Sequence, residues 1–454
     1  MSAPVATDNL DSAAHAVLLG LDPLVLSSAI LLISYAVLLS ERVNRTVVAL
    51  LGGALVIVTG LASQSQAFAA IDFNTIALLT GMMTIVAITR ASGLFEFVAI
   101  WAAKKVQARP MGILIALTLV TAVFSAFLDN LTTVLLVVPI ALLIVEKLKV
   151  SPYPFLFSQI FASNIGGTST LIGDPPNILI GSATGLSFMR FITEQGPVAV
   201  LIMVSMVPVF YVLWNKQLTT TDELRARIMR LREAESITDK GLLIKSLGVL
   251  VLVIAGFIIG ERFHIPPGTV AMLGAAVLLL ITGLGLNQKM QAEKVQEALA
   301  EVEWSALLFF AGLFVIVAGV EHAGLLNILG GMLMEFTGGD AMTTAFATLW
   351  LSAIVSAAVD NIPFVATMIP LVESMEAGLG GKAALEPVWW SLALGACLGG
   401  NGSLVGAAAN VMVAGLSERA GHPISFAKFL KLGLPLMLFT IVIANAYLYV
   451  RHFM

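Results

Sequence analysis

The sequence predicts an all-α polytopic membrane protein. It is built from two inverted-topology repeats, each holding a re-entrant hairpin and a broken helix. Three observations predict this. First, 58% of the 454 residues are hydrophobic and only 11% are charged, with a mean hydropathy of +0.97. A soluble domain carries about 25% charged residues, so this chain has too little polar surface to cover its apolar content in water. A cytosolic enzyme, a nucleic-acid binder and a disordered scaffold are thereby excluded. Second, apolar runs long enough to cross ~30 Å of hydrocarbon follow one another closely. Third, the two halves of the chain align on Gly, Asp, Asn and Pro.

Taken in order, residues 1–23 form a polar leader. They carry Asp8 and Asp11 and lack the basic start of a cleavable signal. Apolar segments follow at 24–40, 46–61, 74–89, 111–128, 131–146, 155–185 (interrupted) and 196–215. The rest lie at 242–260, 268–285, 304–320, 342–358, 362–377, 388–416 (interrupted) and 433–450. Two shorter, mixed segments, 94–106 and 324–336, read as interfacial helices. The domains are thus a first transmembrane repeat (24–215), a linker (216–241) and a second repeat (242–454).

The linker region holds Lys216, Arg225, Arg227, Arg230, Arg232, Lys240 and Lys245 and reads as a solvated amphipathic helix. By the positive-inside rule it is cytoplasmic. Counting spans outward from it leaves only Arg190, Arg262, Lys382 and Arg451, of 24 Lys and Arg, on the far side. The N-terminus is then external. The expected location is the inner (plasma) membrane of a bacterium or an equivalent bilayer.

The repeat is explicit. At an offset of 231, Gly81, Gly93, Ser125, Asp129, Asn130 and Pro139 meet Gly312, Gly324, Ser356, Asp360, Asn361 and Pro370. At 233, Gly166, Gly167, Leu171, Gly173 and Asn177 meet Gly399, Gly400, Leu404, Gly406 and Asn410. The expected topology places the copies upside down relative to each other, which is the signature of secondary transporters.

Two constellations recur once per half. In FSAFLDNLTT (124–133) and VSAAVDNIPF (355–364), an Asp-Asn pair stands between two apolar arms. Basic residues flank the first motif on both sides, which fits a re-entrant hairpin with Asp129-Asn130 at a deep tip; two short full spans fit the same pattern. An Asp at that depth costs ~2.5–3.5 kcal/mol on insertion scales. Asp129, Asn130, Thr132, Asp360 and Asn361 are therefore candidate ligand residues, although Asp and Asn also cap helices.

The second constellation is SNIGGTSTLIGDPPN (163–177) with CLGGNGSLVGAAAN (397–410). Gly-Gly and Asp-Pro-Pro interrupt an apolar segment, because proline removes a donor and restricts its predecessor. Two half-helices joined by unwound backbone result, which at membrane depth must line protein or a wet cavity. The half-helix beginning near Asn177 would present its positive end to an anion, and the freed carbonyls would hold a cation. Candidates here are Asn164, Gly167, Thr168, Asp174, Pro175, Asn177, Gly400, Asn401, Ser403 and Asn410. Asp174 has only Ala407 as counterpart, and it reads equally as a proton carrier or as an Asx-type cap. Close helix packing accounts for Gly181 and Gly185, but not for the repeated Gly-Gly cluster.

Other features carry less. Cys397 is the single cysteine, the five histidines show no ligand spacing, and no Walker A pattern occurs. Neither catalytic residues nor a cofactor is expected, and no nucleic-acid partner. Arg90, Glu321, Asp72 and Glu303 read as span-end anchors, Glu96 and His322 as interfacial. Trp101 and Trp389-Trp390 fit interfacial belts.

The motifs NIGGTSTLIGDPPNILIG (164–181), VDNIPFVATMIPL (359–371) and LGACLGGNGSLVGAAANVMVAG (394–415) carry a family resemblance. The chain resembles the ion-transporter superfamily of ArsB-type arsenite permeases, NhaD-type antiporters, citrate and dicarboxylate carriers and the melanosomal P protein. The motifs look closest to the P protein branch of the ArsB-like group. The resemblance implies a homodimer in which a scaffold domain holds a transport domain that moves as an elevator. It also implies that the hairpin tips and broken-helix loops clamp ion and substrate together. Sodium-coupled dicarboxylate relatives carry Ser-Asn-Thr at the tips, where this chain has Asp.

The functional expectation follows from that departure. Two like charges ~4 Å apart repel by roughly 4 kcal/mol at an effective dielectric of 20, and neither motif holds a Lys or Arg. Proton-coupled efflux of arsenite or antimonite therefore ranks first, Na⁺/H⁺ antiport second, and citrate or dicarboxylate uptake third, with a passive anion channel as the alternative of another class. The coupling ion would be H⁺ or Na⁺, with Na⁺ at Asp129/Asn130 and Asp360/Asn361. The expected partners are the lipid bilayer, a small inorganic or organic ion and a second copy of the chain. A soluble ATPase would dock on the linker, though no motif demands one.

Overall fold

The computed structural model describes residues 20–40 and 42–454, so most of the expected leader lies outside the described residues. The described chain is helical throughout, with no strand. Nine of its helices are long and apolar enough to cross a membrane, which makes this a multi-pass membrane protein. Arg45–Val58, Pro267–Gly283 and Leu325–Thr337 are shorter apolar helices. The helices fall into two units.

One unit comprises the described residues up to Asp72 together with Ser305–Leu329. Asn44 starts the Arg45–Val58 helix by accepting the Thr46 N–H at 2.9 Å. Its small residues let it meet the Trp304–His322 helix backbone to backbone. A Cβ on Gly312 would sit 2.5 Å from the Ala49 carbonyl carbon, and one on Gly53 would sit 3.1 Å from the Gly312 oxygen. Such close approach is how helices associate in lipid, where apolar burial alone gives no advantage. Ile30, Val56, Leu61, Ala67 and Val315 form the apolar core beside it.

The other unit comprises Phe73–Trp304 and Gly330–Met454. The same device recurs there: Gly81 of Phe73–Arg90 abuts Ala271 of Pro267–Gly283, 2.5 Å from where a Cβ would stand. Asn74 Oδ1 accepts the Gly268 N–H at 2.9 Å and fixes the register of the pair.

The linker departs from the expected solvated helix. Only Asp222–Met229 is α-helical, and the segment is stitched to the helices around it. Thr220 Oγ1 donates to the Leu148 carbonyl (2.8 Å), Arg225 to the Gln107 carbonyl (3.1 Å) and Thr238 N to Ser92 O (3.1 Å). Lys104 donates to the Glu233 carboxylate, which holds that carboxyl below its usual range. Gly93 adopts φ +80°, and the Ser236 carbonyl occupies the space of any side chain there. Both facts restrict this turn to glycine.

Two further expectations change. The span expected to begin at 196 begins at Phe188 and runs to Trp214, because its charges are neutralised internally. Glu194, 3% exposed, accepts from Arg451 through Nε and a terminal nitrogen, both at 3.1 Å. Arg190 lies 3.2 Å from the same carboxylate and pairs with Glu386 at 2.5 Å. Secondly, Trp389 and Trp390 are buried rather than interfacial; the Trp390 indole donates to Glu386 at 3.2 Å and packs edge-on against Phe191.

Candidate functional site

The site grows from four interruptions in helical structure, all within the second unit. Pro110–Phe127 stops where Leu128 turns extended, and Asp129 restarts the chain as N-cap of Asn130–Leu148. Asp129 Oδ1 accepts the Thr132 N–H at 2.7 Å, and Oδ2 accepts the Thr132 hydroxyl. In the same way Ala341–Ala358 ends at an extended Val359, and Asp360 caps Asn361–Ser374 through the Ile362 N–H (3.1 Å). These are two helical hairpins, each with Asp-Asn at its tip.

The broken helices are Tyr153–Thr168 with Pro175–Thr184, and Lys382–Gly399 with Ala408–Arg419. Each packs on the first arm of a hairpin through a glycine. Gly166 abuts the Ala122 backbone, and a Cβ on Gly399 would lie 2.6 Å from Ala353 O. Hydroxyls lock these contacts in matching positions. Ser125 donates to Ser163 O (2.6 Å) and Ser356 to Ala396 O (2.7 Å). Thr170 donates to Ala126 O, and Ser403 to Ala357 O (2.5 Å).

Each unwound loop is tied from inside by an asparagine. Asn177 Nδ2 donates to the carbonyls of Thr168 (3.1 Å) and Thr170 (2.8 Å). Asn410 Nδ2 donates to those of Gly400 (2.7 Å) and Ser403 (2.8 Å). Within each loop two glycines face each other, Gly167 with Gly173 and Gly400 with Gly406. Backbone-to-backbone packing thus accounts for the repeated glycine clusters, which the sequence reading denied.

The loops and tips meet in a buried amide cluster. Asn130 Nδ2 donates to Asn164 Oδ1 (3.2 Å). Asn164 Nδ2 divides its two hydrogens between Asn401 Oδ1 and Asn410 Oδ1, both at 3.1 Å. From the other tip, Asn361 Nδ2 donates to Asp174 Oδ1 (3.3 Å), and Asn361 N reaches Gly406 O (3.3 Å). The Cys397 thiol lies 3.5 Å from Asn177 Oδ1. Asn164, Asp174, Asn177, Asn401 and Asn410 are wholly buried, and Asn130, Asn361 and Asp129 nearly so. No Lys, Arg or His takes part in these bonds.

All the candidates from sequence therefore fall in or beside one region, in different capacities. Thr132 is engaged with Asp129, Thr168 donates to Asn164 O (2.7 Å), and Pro175 is the first residue of its half-helix. The sequence reading overlooked Ser125 and Ser356 as loop anchors, although both stood in the aligned pairs. It also overlooked Gln159, buried and bonded to the Thr121 hydroxyl.

The family model for citrate transporters (CitMHS) matches residues 35–395. The chain belongs to the citrate transporter family. An uncharacterized transporter of Mycobacterium tuberculosis is 43% identical over 433 residues, 94% of this chain and 99% of the relative. A 46 kDa membrane protein of Mycobacterium leprae is 40% identical over 432 residues, again 94% and 99%. The P protein of Homo sapiens is 32% identical over 94% of this chain, which spans 60% of that protein's length. The fold is that of the crystal structure of the Alcanivorax borkumensis YdaH transporter (TM-score 0.60, 15% identity, 95% of this chain and 98% of that one). Membership in this family makes the chain a membrane transporter and not an enzyme.

The match corrects the sequence reading twice. The assignment to the ArsB-type and NhaD-type group gives way to the citrate transporter family, and arsenite or antimonite export falls with it. The third-ranked reading, citrate or dicarboxylate transport, is the one favoured. The charge argument failed because it weighed the tip aspartates against Lys and Arg alone.

Proposed function

We propose that this protein is a cation-coupled carrier of citrate-class di- and tricarboxylates across the plasma membrane. The observation that carries the proposal is the buried cluster Asn130–Asn164–Asn401–Asn410, which joins a hairpin tip to both broken helices in a chain of the citrate transporter family. The anion is held by Asn401 Nδ2, the one amide of the cluster without a partner, and by the N-terminus of the Ala408–Arg419 half-helix, where dipole and free N–H groups coincide. Asp129, Asp174 and Asp360 bring negative charge to the same region, so the substrate enters with cations. These are H⁺, or Na⁺ at Asp129/Asn130 and Asp360/Asn361. Movement follows from the repeat: the two halves are inverted copies, the hairpins are re-entrant, and the site travels as an elevator within a homodimer. The linker then faces the cytoplasm and the N-terminus the exterior.

The test is uptake of labelled citrate into proteoliposomes under an imposed pH or Na⁺ gradient. Accumulation driven by one of the gradients supports the proposal. Lack of uptake of any di- or tricarboxylate under either gradient refutes it.

A further inference from the structure

Glycine contacts sort the helices of the second unit into two sets. The first set is a wall made of Phe73–Arg90, Lys240–Gly260 and Pro267–Gly283. Gly81 presses on Ala271, Gly256 on Val270 and Gly274 on Val253, all within the wall. The second set is the body that holds the site. There Gly166 meets Ala122, Gly395 meets Leu349, and Gly402 meets Ala357. Among the described residues, no glycine of one set has its nearest neighbours in the other. Close packing of this kind holds backbones in register, so each set is stiff within itself.

The wall and the body touch at the ends away from the linker. Asn74 stands in the first turn of Phe73–Arg90. Its Oδ1 accepts the Gly268 N–H at 2.9 Å, and a Cβ on Gly268 would lie 2.5 Å from the Asn74 carbonyl oxygen. Asn74 is thereby fixed to the wall, and the direction of its amide is set. Nδ2 donates to Ser182 Oγ at 3.1 Å, on the second half of the first broken helix. A little further along the chain, Phe188 packs on Phe257 of the wall, ring centroids 5.4 Å apart. One stretch of the body, 182–188, thus leans on the end of the wall. The Asn74–Ser182 bond differs in kind from the glycine crossings. Both side chains are partly exposed, so water replaces the bond when they part. Separating a glycine crossing means repacking backbone.

We infer that Asn74 is a latch: it holds the end of the first broken helix on the wall in this conformation, and its bond to Ser182 opens each time the body travels. This rests on the carrier reading above and deepens it by naming a contact at which the moving part lets go. A net hydrogen bond shifts an equilibrium by about two- to tenfold. That biases one state without trapping it.

The experiment uses the full-length protein in proteoliposomes. Cys397 is wholly buried and stays in place. The double variant Asn74→Cys/Ser182→Cys is joined by a short, reducible bis-methanethiosulfonate. Cross-linking is expected to cut citrate uptake tenfold or more and a reductant to restore it, while the reagent leaves each single variant unchanged. A cross-linked protein that carries citrate at the free rate overturns the inference, as does a pair that does not cross-link. A second measurement needs no transport. Spin labels at the exposed Phe73→Cys and Ala183→Cys report the distance between wall and body. Ser182→Ala keeps the Asn74–Gly268 bond and is expected to shift the balance two- to tenfold toward the longer distance. Identical distance distributions with and without Ser182→Ala overturn the latch. A wild type that carries no di- or tricarboxylate, while the distances shift as expected, sinks the carrier reading and leaves the latch standing.

Discussion

Replacing Asn164 by Leu removes the hub of the amide cluster at nearly constant volume. Three bonds are lost: Asn130 to Asn164 at 3.2 Å, and Asn164 to Asn401 and Asn410 at 3.1 Å each. The three former partners are at most 3% exposed, so water cannot replace the bonds without entering the core. Each orphaned buried group costs about 1–3 kcal/mol. The gross loss is then about 3–9 kcal/mol, against a total stability of about 5–15 kcal/mol for a typical protein. Even the lower figure is a factor of about a hundred in an equilibrium constant. Asn164→Leu is expected to lower the melting temperature in detergent by several degrees and to cut citrate uptake about a hundredfold or more. Asn164→Asp keeps the acceptor for Asn130 but sets an oxygen against the two partner oxygens, and is expected to be as damaging to uptake. An Asn164→Leu protein with wild-type melting and wild-type flux would refute the idea that this amide organises the site.

Other perturbations reach other parts of the argument. Asp129→Asn and Asp360→Asn are expected to fold and insert normally while net uptake falls at least tenfold, measured in proteoliposomes; unchanged flux in both removes the tip aspartates from the mechanism. Glu194→Gln leaves the half-exposed Arg451 and Arg190 without their counter-charge and should destabilise by about 1–2 kcal/mol, because solvent screens the charges left behind; no drop in melting temperature means that the ion cluster does not hold the last helix. Gly93→Ala should release the linker, seen as faster proteolysis near Arg230 with the spans intact. The Lys104–Glu233 attachment is present above the ordinary carboxylate range and is lost as pH falls through the depressed Glu233 value. Linker proteolysis should therefore rise only in acid; a rise centred near neutrality would point to another group.

Most of the helical layout was legible because long apolar runs bounded by Gly, Pro and charge leave few alternatives in a membrane. The Asp-Asn tips and Gly-Gly loops were legible for a second reason: they occur twice, and chance does not repeat such sequences. What stayed hidden was partnership. The ion cluster of Arg190, Glu194 and Arg451 stayed hidden because its members are separated by up to 257 positions in the chain. The Trp389-Trp390 pair looked interfacial because sequence does not reveal that Phe191 and Glu386 enclose it. Gly166 and Gly399 did not stand out as packing glycines because the backbones that press on them, Ala122 and Ala353, stand 44 and 46 residues away. The substrate class was misjudged for the same kind of reason. Side-chain charges can be counted in a sequence, but the direction of an amide and the freedom of a helix-end N–H cannot.

The matching and non-matching positions of the two halves divide along a physical line. Everything that sets shape is shared: the small residue at each helix crossing, the Ser that holds each loop, the Asn that ties each loop from within. The Asp-Asn tips are shared as well, and polarity differs in the broken-helix loops: Asp-Pro-Pro against Ala-Ala-Ala, and Thr168 against Asn401. A fully symmetric pair of half-helices would present two equal positive ends and would hold an anion equally well in either orientation. The prolines silence one of those ends by deleting its donors, and Asp174 replaces it with an acceptor. Shape conserved and polarity broken is what a duplicated scaffold requires if it is to bind an asymmetric molecule.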